Sequence, residues 1–541
     1  MRKFRPGLSF SDFVQRGGKV WKFRAEEQRD YRRGWLVWLG VVVVFGVLGV
    51  RLTGLTVFSG GKYRVLADEN RISRIRLPAP RGKILDRNGV ELLRDEATAH
   101  VVGYVGEVSE DEVGLLKEKG AKYTPGSLIG RSGIEAQYEE TLRGVDGGRL
   151  VEVDNVGEAA RELGRREPVA GTDLRLSIDA GLQEIAYKSL NGQKGAAAVS
   201  DPRTGEILAL VSSPSFDPNE ISTKYEVLSA KADLPFFNRA IGGVYAPGST
   251  FKIVTTTAAL ESGNVEPDFV FEDRGVITVG SFSYTNWLFT KRGGIEGVVG
   301  FDRALTRSTD TFFYKVGELT GPEIIVEWAK KMGLGEKTGI DLPGEVAGLV
   351  PDPTAGSGQG WYLGNTYHLA IGQEDLLATP LQINVMTNII ASNGKKCKPR
   401  LVNTALSSPP PKLGGGSKGE VCSEVKISSE TLEIIKKGMV GACSTGGTSF
   451  VMFDWNASES FPKIACKTGT AEYVAQNGRI KTHAWLTAFA PADNPVISAT
   501  VVFEGGGEGS NVAAPAVRKI FAKYFGVEDT YPYGAIRGEG E

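Results

Sequence analysis

The sequence predicts an α+β protein carried on one N-terminal membrane helix, and three observations predict it. Residues 34–50, GWLVWLGVVVVFGVLGV, contain no charge. Two apolar strand pairs, GAAAVSDPRTGEILALVSSP and AWLTAFAPADNPVISATVVFEG, lie near opposite ends of the C-terminal two-thirds of the chain. Between them, residues 240–395 read mostly as helix, and VAAPAVRKIFAKYFG reads as a closing helix. One antiparallel sheet taking strands from both ends, with helices packed beside it, is an α+β arrangement.

Taken in order, the uncharged run spans about 25 Å as a helix, slightly short of a ~30 Å hydrocarbon core. Arg51 can snorkel while Leu52 to Phe58 extend the span, which sets a membrane helix at 34–58. The preceding segment, 1–33, carries ten Lys/Arg against four Asp/Glu, which puts it in the cytoplasm and everything after Gly61 outside. A cleaved signal peptide is the competing reading, opposed by the long leader and the lack of a small-x-small cleavage site.

Residues 59–171 are charge-rich, with short strand-like runs such as HVVGYVGEV and GRLVEVDNVG, and read as an extended mixed α/β pedestal more than an enzyme. A catalytic domain follows at 172–528. It opens with TDLRLSIDAGLQEIAYKSL, a strand and then a helix capped at Asp179. The Pro/Gly/Ser-rich LSSPPPKLGGGSKGE reads as an exposed loop, and 529–541 as a flexible tail.

Several functions are disfavoured. A net charge of -1 over 541 residues gives no basic field for nucleic acid. Cys397, Cys422, Cys443 and Cys466 lack the spacing of a metal site; Cys397 and Cys422 bracket the loop, either as a disulfide or as two thiols. His100, His368 and His483 are far apart, which discourages a Ser-His-Asp triad or a histidine metal centre. No metal or cofactor is expected.

The chemistry-bearing stretch is YAPGSTFKIV, with Ser249 and Lys252. Pro247 and Gly248 interrupt structure just before a run of helical period, which sets Ser249 at a helix N-terminus and Lys252 one turn on, on the same face. A buried lysine there can lose its proton and serve as base for the serine. A second Ser-x-x-Lys, Ser423 to Lys426, looks extended, so its two side chains would diverge.

Further on, FDRALTRSTDTFFYKVGELTG reads as an amphipathic helix with Ser308 and Asp310, two residues that reach a cleft together only at a turn or helix end. The tripeptide Lys-Thr-Gly occurs twice. Lys337-Thr338-Gly339 follows a helix and enters the breaker-rich IDLPGE, so it reads as a connector. Lys467-Thr468-Gly469 lies in a strand, where Lys467 supplies charge, Gly469 permits close approach, and the edge can pair with an extended peptide.

The order Ser249-Lys252, Ser308-Asp310, Lys467-Thr468-Gly469 resembles the penicillin-recognising serine acyltransferases, and YAPGSTFK, ALTRSTDTFFY and CKTGTAEY are similar to the three motifs of class B penicillin-binding proteins. APRGKILDRNGVELL and GRSGIEAQYEETLRG resemble that family's membrane-proximal pedestal, and ATAHVVGYVGEV with LVEVDNVG leans toward its elongation branch over the division paralogue.

The resemblance implies a transpeptidase domain over 172–528, penicillin binding at Ser249, and D,D-transpeptidation of peptidoglycan stem peptides ending in D-Ala-D-Ala. It gives Lys252 the role of base, Ser308 that of proton relay and Lys467 that of orienting cation. Thr468 and Thr470 would hold the terminal carboxylate, and backbone N–H groups of Ser249 and Thr470 would form an oxyanion hole. It also implies a polytopic glycosyltransferase of the RodA type and elongation-complex proteins as partners. Three residues depart from the pattern: Asp310 where many relatives have Asn, Cys466 where glycine is usual, and Glu374 in the Ile-Gly-Gln segment. A division-type role, a β-lactam hydrolase or sensor, and a silent scaffold for a glycan polymerase are the competing functions; no hydrolytic-base motif or signalling module is apparent.

Overall fold

The computed structural model describes residues 31–118, 123–154, 158–354, 360–373, 375–402, 421–475 and 478–533. The segment before residue 31, Glu374, the loop at 407–420 and the end of the tail lie outside the described residues. The chain forms two compact units, one of residues up to 76 with 148–166, the other of 77–147 with 167 onward.

In the first unit Tyr31–Thr53 is α-helical, Gly54–Phe58 widens into a π-helical turn, and Gly60–Arg71 resumes the α-helix. The 25 residues Gly34–Phe58 reach about 37 Å and expose their apolar side chains all round, as a membrane span requires. The hydroxyls of Thr53 and Thr56 bond back to the carbonyls of Gly49 and Leu52 (2.8 and 2.7 Å), so neither is unsatisfied in an apolar medium. A three-stranded sheet, with Gly147–Val153 between Ile72–Leu77 and Ala159–Arg166, completes the unit.

The second unit is built on a five-stranded antiparallel sheet. Its strands are β1 (Gly195–Ser200), β2 (Ile207–Ser213), β3 (Ala465–Val474), β4 (Ile480–Ala490) and β5 (Ile497–Phe503), in the order β3-β4-β5-β1-β2. Strands from both ends of the domain thus join, and β3 is an edge. Seven helices frame the site: α1 (Ala180–Ser189), α2 (Lys252–Glu261), α3 (Phe301–Arg307), α4 (Asp310–Thr320), α5 (Pro380–Ala391), α6 (Ser429–Ala442) and α7 (Gly509–Phe525). Asp179 caps α1 by accepting from Leu182 N at 3.0 Å, as its sequence predicts.

Strands β1, β2 and β5 and the second half of β4 are buried along their length and apolar at most positions because both faces are covered. Ala196, Ala198, Trp485, Phe489 and Val502 face the helical core with α2 and α5, whereas Ala197, Val199, Leu486, Ala488 and Val501 face the core closed by α1 and α7. Helix α5 is buried along its whole length, started by a reciprocal cap between Thr379 and Gln382 with Pro380 at its first position. Its polar side chains bond to the sheet: Asn388 Nδ2 donates to Ser200 Oγ (2.9 Å), and the Thr387 and Thr487 hydroxyls lie 2.6 Å apart.

Three expectations change. The pedestal expected over 59–171 is not one body, because 77–147 packs into the same core as the catalytic domain through Ile84, Val101, Ile134 and Leu142. There Glu135 is fully buried and neutralised by Arg81 and Arg94, and Tyr138 donates to Asp341 at 3.0 Å. The single helix expected through Ser308 is two, α3 and α4. The tail expected from 529 is held as far as Tyr533: Asp529 accepts from Arg518 Nε at 2.9 Å, and the Arg518 guanidinium also lies over the Tyr531 ring.

Candidate active site

Ser249 lies in a 3₁₀ turn, Gly248–Phe251, that runs directly into α2. Gly248 has φ +54, and a side chain there would come 2.8 Å from Thr470 O; a side chain at Gly469 would come 2.9 Å from Pro247 O. Two glycines therefore let the nucleophile turn and β3 meet backbone to backbone. Trp485 Nε1 anchors the approach to this turn on Ala246 O at 3.0 Å. Among the described residues the Ser249 hydroxyl has no hydrogen-bond partner, and it is half-buried.

Lys252, one turn on, is fully buried and donates to Ser308 O (2.8 Å), Ser308 Oγ (3.1 Å) and Asp310 Oδ1 (2.6 Å). Lys467, also fully buried, reaches the same hydroxyl from β3: Nζ is 2.9 Å from Ser308 Oγ and 3.2 Å from Thr468 O. One hydroxyl is thus held by two amines, one from α2 and one from β3. Burial lowers the Lys252 pKa, against the pull of Asp310. The Lys467 pKa falls well below the usual lysine range, from burial first and then from the charge of Lys252.

The break between α3 and α4 brings Ser308 and Asp310 to one cleft. Ser308 ends α3 with a left-handed backbone, φ +57, and Asp310 opens α4. Residues the sequence did not single out hold Asp310: Trp287 N donates to Oδ2 (3.1 Å) and Asp310 N to Asn286 Oδ1 (3.3 Å). Trp287 Nε1 also donates to Arg307 O at 2.9 Å. With Oδ2 occupied, Oδ1 is left for Lys252.

The edge of β3 is set by Gln373, whose Nε2 donates to Thr470 O and whose Oε1 accepts from Glu472 N, both at 3.2 Å. A strand residue's C=O and N–H lie on one side, so the Thr470 N–H also points out of the sheet toward the nucleophile turn. Thr468 shares a 2.8 Å hydroxyl contact with Thr448, a residue of the turn after α6 for which the sequence offered only the turn signal STGGTS. Cys466 is bonded to Cys443, and Cys397 to Cys422 across a short strand pair. The second pair was open in the sequence; the first was not foreseen, and its only trace is that Cys466 faces away from Lys467.

The other copies of the motifs are elsewhere. Lys337 is exposed, and the Thr338 and Gly339 amides are tied to the Glu345 carboxylate at 2.7 and 3.0 Å, which makes the first Lys-Thr-Gly a loop clasp. Ser423 and Lys426 are both exposed.

Known proteins agree with this architecture. The family described as the penicillin binding protein transpeptidase domain matches residues 195–522, and the penicillin-binding protein dimerisation domain matches 91–176. The chain is 35% identical over 450 residues to the peptidoglycan D,D-transpeptidase MrdA of Acinetobacter baumannii, covering 78% of this chain and 64% of that protein. It is 30% identical to MrdA of Escherichia coli K12, covering 91% and 93%. A crystal structure of Pseudomonas aeruginosa PBP2 in complex with WCK 5153 superposes with a TM-score of 0.71 at 32% identity, over 87% of this chain and 100% of that one. A structure described as showing structural coordination of polymerization and crosslinking by a peptidoglycan synthase complex superposes with a TM-score of 0.72 at 29% identity, over 92% and 99%. The two buried lysines that meet at Ser308 from α2 and β3, the matched domains and these relatives together place the chain in the penicillin-binding protein family, in its penicillin-binding protein 2 branch.

Proposed function

We propose that the chain is a peptidoglycan D,D-transpeptidase of cell elongation working through a serine acyl-enzyme. The observation that carries this reading is the Ser308 hydroxyl held between the buried amines of Lys252 and Lys467, with Ser249 one turn before Lys252.

Neutral Lys252 takes the Ser249 proton as Oγ attacks the penultimate D-Ala carbonyl. The oxyanion is received by the backbone N–H groups of Ser249 and Thr470, each worth about 3 to 4 kcal/mol where preorganised. The C–N bond to the terminal D-Ala breaks, and its nitrogen takes a proton relayed from Lys252 through Ser308. An amine of a neighbouring stem then attacks the ester, regenerates Ser249 and forms the crosslink. Thr468 and Thr470 hold the terminal carboxylate, Gly469 keeps the strand open to the substrate backbone, and Asp310 controls the charge of Lys252. A β-lactam follows the same first step and stalls, because its leaving group stays tethered.

The N-terminus is assigned to the cytoplasm and the catalytic domain to the far side of the membrane. A RodA-type polytopic glycosyltransferase is the proposed partner, supported by the kinship with a chain of a peptidoglycan synthase complex. Labelling the full-length protein with fluorescent penicillin tests the reading: wild type gives one stable adduct and Ser249→Ala none. An adduct that persists in Ser249→Ala overturns it, and rapid turnover of a chromogenic β-lactam favours a hydrolase instead.

A further inference from the structure

We propose that the Cys443–Cys466 disulfide is a positioning element for recognition of the substrate's terminal carboxylate; this rests on the assignment of Thr468 to that carboxylate. Side chains alternate along β3, so Cys466 and Thr468 share the face opposite Lys467. Cys466 is covalently joined to Cys443 at the end of α6, and Thr468 is hydrogen-bonded at 2.8 Å to Thr448, five residues farther on. Two successive ties thus fasten one turn, 444–449, to two successive positions on the same face of the catalytic strand.

The turn's other hydrogen bonds lead elsewhere. Gly447 N donates to Ser444 O at 2.8 Å and Ser449 N to Ala442 O at 2.9 Å, both returning toward α6. The Gly446 carbonyl accepts from Arg307 at 3.0 Å. Among the described residues Thr448 alone carries a hydrogen bond from this turn to β3, and the disulfide alone joins the two covalently.

The chemistry follows from the hydroxyl pair. When Thr448 donates to Thr468 Oγ1, the Thr468 proton is left free to point at an anion, and its rotamer is fixed before the substrate arrives. Without that donor the hydroxyl samples other wells. Both sulfurs belong to fully buried residues, so the cross-link is a permanent fastening in the folded protein.

The test is the second-order acylation rate of the full-length protein by benzylpenicillin and by its methyl ester. It is measured for Cys443→Ala/Cys466→Ala, for Thr448→Val with both disulfides intact, and for Thr468→Val. The expected result is a loss of about tenfold with the acid and less than twofold with the ester in all three, the size of one hydrogen bond to a charged group. Equal losses with acid and ester in the cysteine pair, or no loss, overturn the proposal. Discrimination in Thr468→Val but not in the cysteine pair overturns it alone, whereas no discrimination in Thr468→Val overturns the carboxylate assignment as well. If the cysteine pair does not fold, Thr448→Val decides: without an acid-specific loss there, the disulfide has nothing to position.

Discussion

Lys252 Nζ stands 2.6 Å from Asp310 Oδ1, whereas Lys467, the other amine on Ser308, makes no ion pair among the described residues. The carboxylate favours the charged form of Lys252, and the base must be neutral to act. Asp310→Asn removes the charge, so Lys252 loses its proton at lower pH. The acid limb of the acylation profile is therefore expected to move toward lower pH by about one unit. Stopped-flow acylation by a chromogenic β-lactam across pH measures it; an unmoved or alkaline-shifted limb contradicts the role given to Asp310.

The two Lys-Thr-Gly copies separate in one comparison. Lys467→Ala takes a buried amine from Ser308 and is expected to slow acylation by at least a hundredfold. Lys337→Ala removes an exposed charge from a loop clasped by Glu345 and is expected to change the rate by less than about twofold, the behaviour of an isolated surface site. Comparable losses in both variants, with both folded, reverse the assignment.

Tyr138 and Asp341 join residues far apart in sequence. Burial and the neighbouring carboxylate raise the phenol's pKa, so it stays protonated and donates, while Asp341 also accepts from Leu401 N and Val402 N at 2.7 and 2.9 Å. Tyr138→Phe keeps the ring and removes one bond to a charged acceptor. The expected cost is about 1.5 to 3 kcal/mol in urea unfolding, with acylation unchanged. No measurable cost would mean the bond adds nothing to folding.

His100 makes stability depend on acid. Burial against Phe216 holds its pKa at about 4, below the ordinary 6.5, while Nε2 donates to Pro235 O. As pH falls through about 6.5 the unfolded chain takes up the proton and the folded chain does not. Stability contributed by the neutral ring is present above that pH and is lost progressively down to about 4, up to about 3 kcal/mol. His100→Gln should flatten the fall of Tm between pH 6.5 and 4; an identical slope in both proteins excludes His100 as the sensor.

The sheet was legible in the sequence because its strands are short apolar runs punctuated by Pro, Gly and Asn, and local chemistry sufficed to find them. The motif residues were legible through their order and their setting. The break at Ser308 was not: the apolar period runs on through it, and the αL backbone of Ser308 followed by the extended Thr309 splits the helix. Asn286, Trp287 and Thr448 were invisible for a related reason. Each acts through a contact with a residue at least 20 positions away, and nothing about an Asn or a Thr in a turn announces such a partner.

Both disulfides lie in the part of the chain assigned beyond the membrane, and a reducing cytoplasm keeps such thiols unpaired before folding buries them. On the proposed topology, the strand bearing Lys467 receives its last fastening only after export. A molecule still on the cytoplasmic side would be an unfinished enzyme, and crosslinking capacity would mature together with delivery to the compartment that holds the wall.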